Sequence, residues 1–132
     1  MIVVDTSAVV AVLLREPEGP AFRLAIADAG RILVSAVTMV ELAAVTGRDE
    51  ALFEAVRSFL NEPHVTIEPV DAAQAAIAAE AYRRFGKGRH PAGLNLGDVF
   101  SYALARQRGL ALLFKGDDFA QTDIRSAAGE LS

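Results

Sequence analysis

The sequence predicts an α/β domain built on a mostly parallel sheet that helices cover on both faces. Three observations carry that expectation. Short runs of β-like composition recur near residues 2–4, 32–34, 65–68 and 110–114, most of them unbroken apolar stretches; strands buried on both faces read this way. Helical segments separate each run from the next, which suits crossovers between parallel strands. The 132 residues contain no internal repeat, low-complexity tract or dividing linker, so a single domain over residues 1–132 is expected.

Each element follows from local chemistry. Residues 2–4 read as the first strand. Thr6 or Ser7 is suited to cap a helix reaching about Arg15, with Pro17 as its stop. Residues 20–28 form a second helix, opened by Pro20 and closed near Gly30. After the strand at 32–34, Thr38 opens a helix through Val45 that Gly47 closes, and residues 50–60 form another that ends before Pro63. The strand at 65–68 leads to an Ala-rich helix capped by Asp71 and running to about Phe85. Four glycines (86, 88, 93 and 97) and Pro91 mark residues 86–97 as a loop. Residues 98–108 are helical, with Gly109 just past the end. The last clear strand is 110–114, followed by irregular chain with a short edge strand near Thr122-Asp123-Ile124.

Composition narrows the function classes. A chain that is 52% hydrophobic and 23% charged fits a compact globule and not a disordered one. The absence of cysteine excludes disulfides and thiolate metal sites, and it suits a reducing cytoplasm. The opening Met1-Ile2-Val3-Val4-Asp5 has no basic n-region or long apolar run, so it reads as a strand and not a signal peptide. No apolar run approaches the roughly 20 residues of a membrane span. A net charge of −4 argues mildly against a non-specific nucleic-acid binder. One segment is nonetheless basic: Arg83, Arg84, Lys87 and Arg89, with His90 beside them.

The acids are the main chemical signal. Asp5 follows the first strand, and Glu41 lies about a turn into the helix after the second. Asp98 opens the helix before the last strand, and Asp117 and Asp118 follow that strand. In a parallel sheet the carboxyl ends of the strands share one edge, where functional groups gather. Clustered carboxylates are costly unless neutralised, and hard oxygen donors suit Mg²⁺ or Mn²⁺. Other hydrolytic routes are poorly supplied: no cysteine, two histidines (His64 and His90) in different contexts, and no Gly-x-Ser-x-Gly elbow. Each acid also has a structural reading. Asp5 and Asp98 suit helix caps, Glu41 completes a Thr38-x-x-Glu41 capping box, and Asp117 and Asp118 suit a turn.

Taken together, four segments resemble the motifs of the PIN-domain family, and within it the VapC toxins, over nearly the whole chain. Ile2-Val3-Val4-Asp5-Thr6-Ser7-Ala8 is similar to that family's first-strand motif, with its metal-binding aspartate at Asp5. Ser35-Ala36-Val37-Thr38-Met39-Val40-Glu41-Leu42 resembles the second, whose acid falls on Glu41. Leu94-Asn95-Leu96-Gly97-Asp98-Val99-Phe100-Ser101-Tyr102-Ala103 resembles the third, with its aspartate at Asp98. Leu112-Leu113-Phe114-Lys115-Gly116-Asp117-Asp118-Phe119 and Thr122-Asp123-Ile124 resemble the last. There the residue before Asp-Phe varies, which assigns the fourth acid to Asp118 and leaves Asp117 as an assistant or a turn residue. Residues 82–94 add a VapC-like loop.

The resemblance implies a PIN-like three-layer α/β/α sandwich and metal-dependent endonucleolytic cleavage of RNA. The substrate it suggests is transfer RNA or another structured RNA. It further implies Mg²⁺, with Mn²⁺ as a substitute, held by Asp5, Asp98, Glu41 and Asp118. A cytoplasmic homodimer is expected, inhibited by a cognate VapB-like antitoxin through which alone DNA would be contacted. Thr6 and Ser35 either support the metal shell or phosphate or satisfy backbone groups. Arg83, Arg84, Lys87 and Arg89 either grip phosphates or solvate a helix end and loop. Lys115 either touches phosphate or pairs with an acid.

Apolar residues on the early helices, among them Val9, Val10, Leu13, Leu14, Phe22, Phe53, Val56, Phe59 and Leu60, serve the core or a partner surface. Phe119 is expected to anchor its loop in the core. Two rival functions remain. A phosphatase of the haloacid-dehalogenase type would use Asp5 as nucleophile, but it wants a second aspartate where Ser7 stands. A non-catalytic binding module would leave the acids structural.

Overall fold

A computed structural model describes residues 1–128. The chain runs β1 (Ile2–Val4), α1 (Thr6–Leu13), α2 (Gly19–Ala29), β2 (Ile32–Ser35), α3 (Ala36–Thr46), α4 (Glu50–Leu60), β3 (Val65–Glu68), α5 (Ala72–Phe85), α6 (Asp98–Arg108) and β4 (Leu112–Leu113), then a 3₁₀ turn at Phe119–Gln121. The four strands form one sheet in the order β3-β2-β1-β4. Every pairing is parallel, with Val3 opposite Leu33 on one side and Leu112 on the other.

Strand alternation sorts the core into two layers. Val3, Leu33 and Leu112 point to one face and pack with Ala81, Phe85, Leu94, Tyr102 and Leu104 of α5, α6 and the loop between them. Val4, Ile32, Val34 and Leu113 point to the other and meet Val9, Val12, Phe22, Ile26, Leu42, Val56 and Leu60 of α1 to α4. Both faces are therefore dry, which is why these strands lack polar alternation. The result is the expected three-layer α/β/α sandwich. Successive strands step from β1 to β3 in one direction, and β4 then returns to the far side of β1. The reversal creates a switch point at the carboxyl ends of β1 and β4.

Several local expectations change. Asp5, and not Thr6 or Ser7, is the N-cap of α1, its side chain accepting from the Ser7 N–H. The strand geometry of β1 carries through Asp5, so the helix starts directly beyond it. Helix α3 begins two residues earlier than Thr38, because Ser35 takes the cap and accepts from the Val37 N–H. Thr38 is thus a buried residue inside the helix, and no Thr38–Glu41 capping box exists. The last strand is only two residues long. Its outer edge is paired by the chain at 125–127, where Leu112 N–H donates to Arg125 (2.8 Å) and Ala127 N–H to the Leu112 carbonyl (2.8 Å). The bridge partner is Ser126, so residues 122–124 are not an edge strand. Phe119 is buried 5.3 Å from Phe114, an anchor as expected.

Candidate active site

The parallel topology delivers the acids to one edge. β1 ends at Asp5, β2 ends at Ser35 and continues into the helix carrying Glu41, and β4 runs into the loop carrying Asp117 and Asp118. Helix α6 runs back over the sheet before β4, so its first residue, Asp98, starts at that same edge.

Asp5 is buried, with 2% of its surface exposed. Its Oδ2 accepts two hydrogen bonds from Ser7, one from the backbone N–H at 3.0 Å and one from the hydroxyl at 2.7 Å. Its Oδ1 is buried and has no hydrogen-bond partner. The helix cap therefore uses one oxygen and leaves the other over, so the capping role does not account for the whole carboxylate.

Glu41 sits mid-helix, where it caps nothing. Its Oε1 accepts the Thr6 hydroxyl at 2.7 Å. Burial raises its pKa above the usual glutamate range; the Thr6 hydrogen bond opposes the rise and the charge on Asp5 adds to it. The carboxylate lies flat against Gly97: a Cβ at that position would collide with both its oxygens. Gly97 has an ordinary helical backbone (φ −68°, ψ −40°), so a side chain there would meet only the end of Glu41, which would have to move aside.

Asp98 and Asn95 hold each other. The Asn95 N–H donates to Asp98 Oδ2 (3.0 Å), and the Asp98 N–H donates to Asn95 Oδ1 (2.8 Å). Burial pushes the Asp98 pKa up to about 6, with the Asn95 N–H working against it and the charges of Asp5, Glu41 and Asp118 adding to it. That mutual repulsion shows that the four acids share one neighbourhood. Asp117 lines a separate cavity with Pro17, Phe22, Phe114 and Ile124.

The donor set fits a hard divalent cation. A buried carboxylate oxygen without a partner is costly, and a cation would satisfy it while offsetting the repulsion among its neighbours. Among the described residues no three acidic or histidine side chains converge into a ready cage. Mg²⁺ does not need one, because it retains waters and takes one or two carboxylates together with substrate phosphate.

The remaining predicted residues separate clearly. Ser35 is fully buried and caps α3, whereas Thr6 holds Glu41. Lys115 Nζ is bound to Glu16 at 3.1 Å and Glu18 at 3.4 Å, which gives it the acid-paired alternative. Arg84 stacks over the Phe85 ring at 4.6 Å and reaches Asp123 at 3.7 Å. Arg83 makes an exposed pair with Glu80 at 3.5 Å. Lys87 and Arg89 are exposed on the loop after α5.

Comparison with known proteins agrees with this fold. The PIN-domain family model matches residues 2–125. Ribonuclease VapC42 of Mycobacterium tuberculosis is 44% identical over 128 residues, covering 95% of this chain and 98% of that protein. This chain belongs to the VapC ribonuclease family of PIN-domain proteins. Two solved structures share the PIN fold. The sarcin-ricin loop cleaving toxin VapC20 of M. tuberculosis has a TM-score of 0.77 at 19% identity, over 94% of this chain and 96% of that one. VapBC2 of Rickettsia felis, bound to a DNA fragment from their promoter, gives 0.73 at 16% identity, over 96% of each chain.

Within this PIN fold, sequence reasoning passed over Ser7, Asn95 and Gly97 as parts of the site. Asn95 had a signal, since Asn-x-x-Asp at a helix start invites the reciprocal bond seen here. Gly97 had none, because its need comes from Glu41, far away in sequence. Thr38 and Ser101, buried with hydroxyls 3.4 Å apart, join α3 to α6 behind the acids.

Two outcomes follow for the VapC-family site. Gly97→Ala should push the Glu41 carboxylate aside and break its hydrogen bond with Thr6, at a cost of about 0.5–1.5 kcal/mol. Glu41→Ala in the same chain should recover most of that loss, since it removes the group the new methyl meets; urea unfolding of the double-mutant cycle measures the coupling. The second concerns pH. An acid whose pKa rises on folding holds its proton more tightly in the folded state, so Asp98 stabilises the metal-free fold at low pH. That contribution fades as pH climbs from the usual aspartate range through about 6. Melting of metal-free protein between about pH 4 and about pH 7 should show this decline, and Asp98→Asn should flatten it.

Proposed function

We propose that this chain is the toxin of a VapBC-type toxin–antitoxin pair, a Mg²⁺-dependent endoribonuclease that hydrolyses phosphodiester bonds in transfer RNA or another structured RNA. The observation carrying this reading is the buried, unpartnered Asp5 Oδ1 within a group of mutually repelling carboxylates. Asp5 and Asp98 would be the principal ligands, with Glu41 and Asp118 completing the site directly or through water. Mn²⁺ is the natural substitute. When bound, such a cation polarises the phosphodiester and offsets charge on the leaving oxygen. The chain's own part is to present the carboxylates in fixed orientation: Thr6 holds Glu41, Asn95 holds Asp98 and Ser7 holds Asp5.

Arg83, Lys87 and Arg89 are the residues best placed for RNA phosphates, being exposed and at most paired on the surface. Arg84 and Lys115 are engaged with Asp123 and with Glu16 and Glu18, which supports a structural part for both. A VapB-like antitoxin is the proposed inhibitor, in keeping with the toxin–antitoxin complexes among the structural relatives. We assign DNA contact to that antitoxin, the active form to a homodimer and the location to the cytoplasm. Among the described residues no helix is long and apolar enough to cross a membrane. The phosphatase alternative is disfavoured because Ser7, at the place of that family's second acid, donates to Asp5.

Purified protein should cut RNA with Mg²⁺ and fail in EDTA. Asp5→Asn should abolish cutting while keeping its circular dichroism and melting behaviour. Full activity in a folded Asp5→Asn protein would refute the assignment. RNA affinity should fall steeply with added salt, and Lys87→Ala with Arg89→Ala should reduce that slope by roughly 0.7 for each phosphate no longer neutralised.

A further inference from the structure

We propose that Ser7 is a positioning residue that turns Asp5 so that one carboxylate oxygen is held by the protein and the other is left for a divalent cation, and that the carboxyl end of β4 sets this turn. The inference rests on the metal-dependent reading above.

The geometry fixes the direction of every bond. A serine hydroxyl has one proton to give and lone pairs to receive. The Lys115 backbone N–H donates to Ser7 Oγ at 3.0 Å, and an N–H has no other option. The hydroxyl proton is left for Asp5 Oδ2, at 2.7 Å. Together with the Ser7 N–H at 3.0 Å, this holds Oδ2 from two sides, while Oδ1 lies buried and unpartnered. A carboxylate held this way offers a cation one oxygen. Rotating the Ser7 hydroxyl away would leave the part-buried Lys115 N–H without its acceptor and Oδ2 with only the Ser7 N–H.

Thr6 and Asn95 each hold one acid, but Ser7 also joins two elements 108 residues apart in sequence. The β1–β4 pairing places them side by side, with the Asp5 N–H donating to the Leu113 carbonyl at 3.0 Å. The Lys115 side chain is clamped to Glu16 and Glu18, so its backbone is steadied from the α1–α2 connection as well. The orientation of Asp5 is thus set by the strand that leads to Asp118. Side chains that orient a metal ligand commonly matter about 10- to 100-fold in metal affinity without touching the metal.

Mn²⁺ binding to the full chain without RNA, followed by titration calorimetry, tests this directly. Ser7→Ala should weaken Mn²⁺ binding by about 10- to 100-fold. It should also lower kcat with little change in KM for RNA, and Ser7→Thr, which keeps the hydroxyl, should restore both. Ser7→Cys, nearly isosteric with a weak donor, should behave like Ser7→Ala and serves if the alanine variant does not fold. Wild-type Mn²⁺ affinity in folded Ser7→Ala or Ser7→Cys, with affinity lost in Asp5→Asn, overturns the positioning role and leaves the metal site standing. Wild-type affinity in Asp5→Asn overturns the metal-site reading itself.

Discussion

The rest of the structure is organised around like charges held close together. Asp5, Glu41, Asp98 and Asp118 lie near enough that burial and mutual repulsion together push Asp98 up to about 6. No domain gains stability from such a group on its own account. The arrangement persists because Asp5, Glu41 and Asp98 are each gripped by a donor, from Ser7, Thr6 and Asn95, and because the elements that carry them are packed against a filled core. The unpartnered Asp5 Oδ1 marks what the fold leaves open, a place for positive charge.

That core explains the precision of the edge. β1 lies between β2 and β4, and its residues alternate between two dry layers. Slipping β1 by one position would send Val3 and Val4 to the wrong faces, so the end of the strand, and with it Asp5, is pinned. The same logic fixes Asp98. Its helix buries Val99, Tyr102, Ala103 and Leu104, and Tyr102 donates to Asp123, which Arg106 holds at 2.9 Å. The segment after β4 is thereby fastened to α6, so the loop bearing Asp118 is anchored at both ends. A tight fit of the Glu41 carboxylate on the Gly97 backbone closes the remaining side.

Charge is distributed to match. The chain is acidic overall, yet α5 and the loop after it, which leads into Asp98, carry exposed cations. A nucleic acid gripped through its phosphates by such residues would gain affinity without sequence preference. Lys115 and Arg84, cationic in the sequence, are instead used inside the fold, one clamping the α1–α2 connection and the other tying α5 to the C-terminal segment.

The amino-acid sequence by itself determined the main helices and strands and their order, and it singled out the four acids proposed here as the site. Apolar strands, glycine and proline punctuation, and Asx caps are local signals, and they placed the helices at 50–60 and 98–108 at their observed limits. Tertiary structure decided everything that depends on two distant segments meeting. It moved the cap of α3 from Thr38 to Ser35 and so freed Glu41. It brought the charge of Asp118 to bear on Asp98, gave Lys115 to Glu16 and Glu18, and paired the edge of the two-residue last strand with residues 125–127. Ser7 and Gly97 show the physical reason: one answers to an amide 108 positions later and the other to the volume of a carboxylate on another helix, and neither need leaves a trace in the residues beside it.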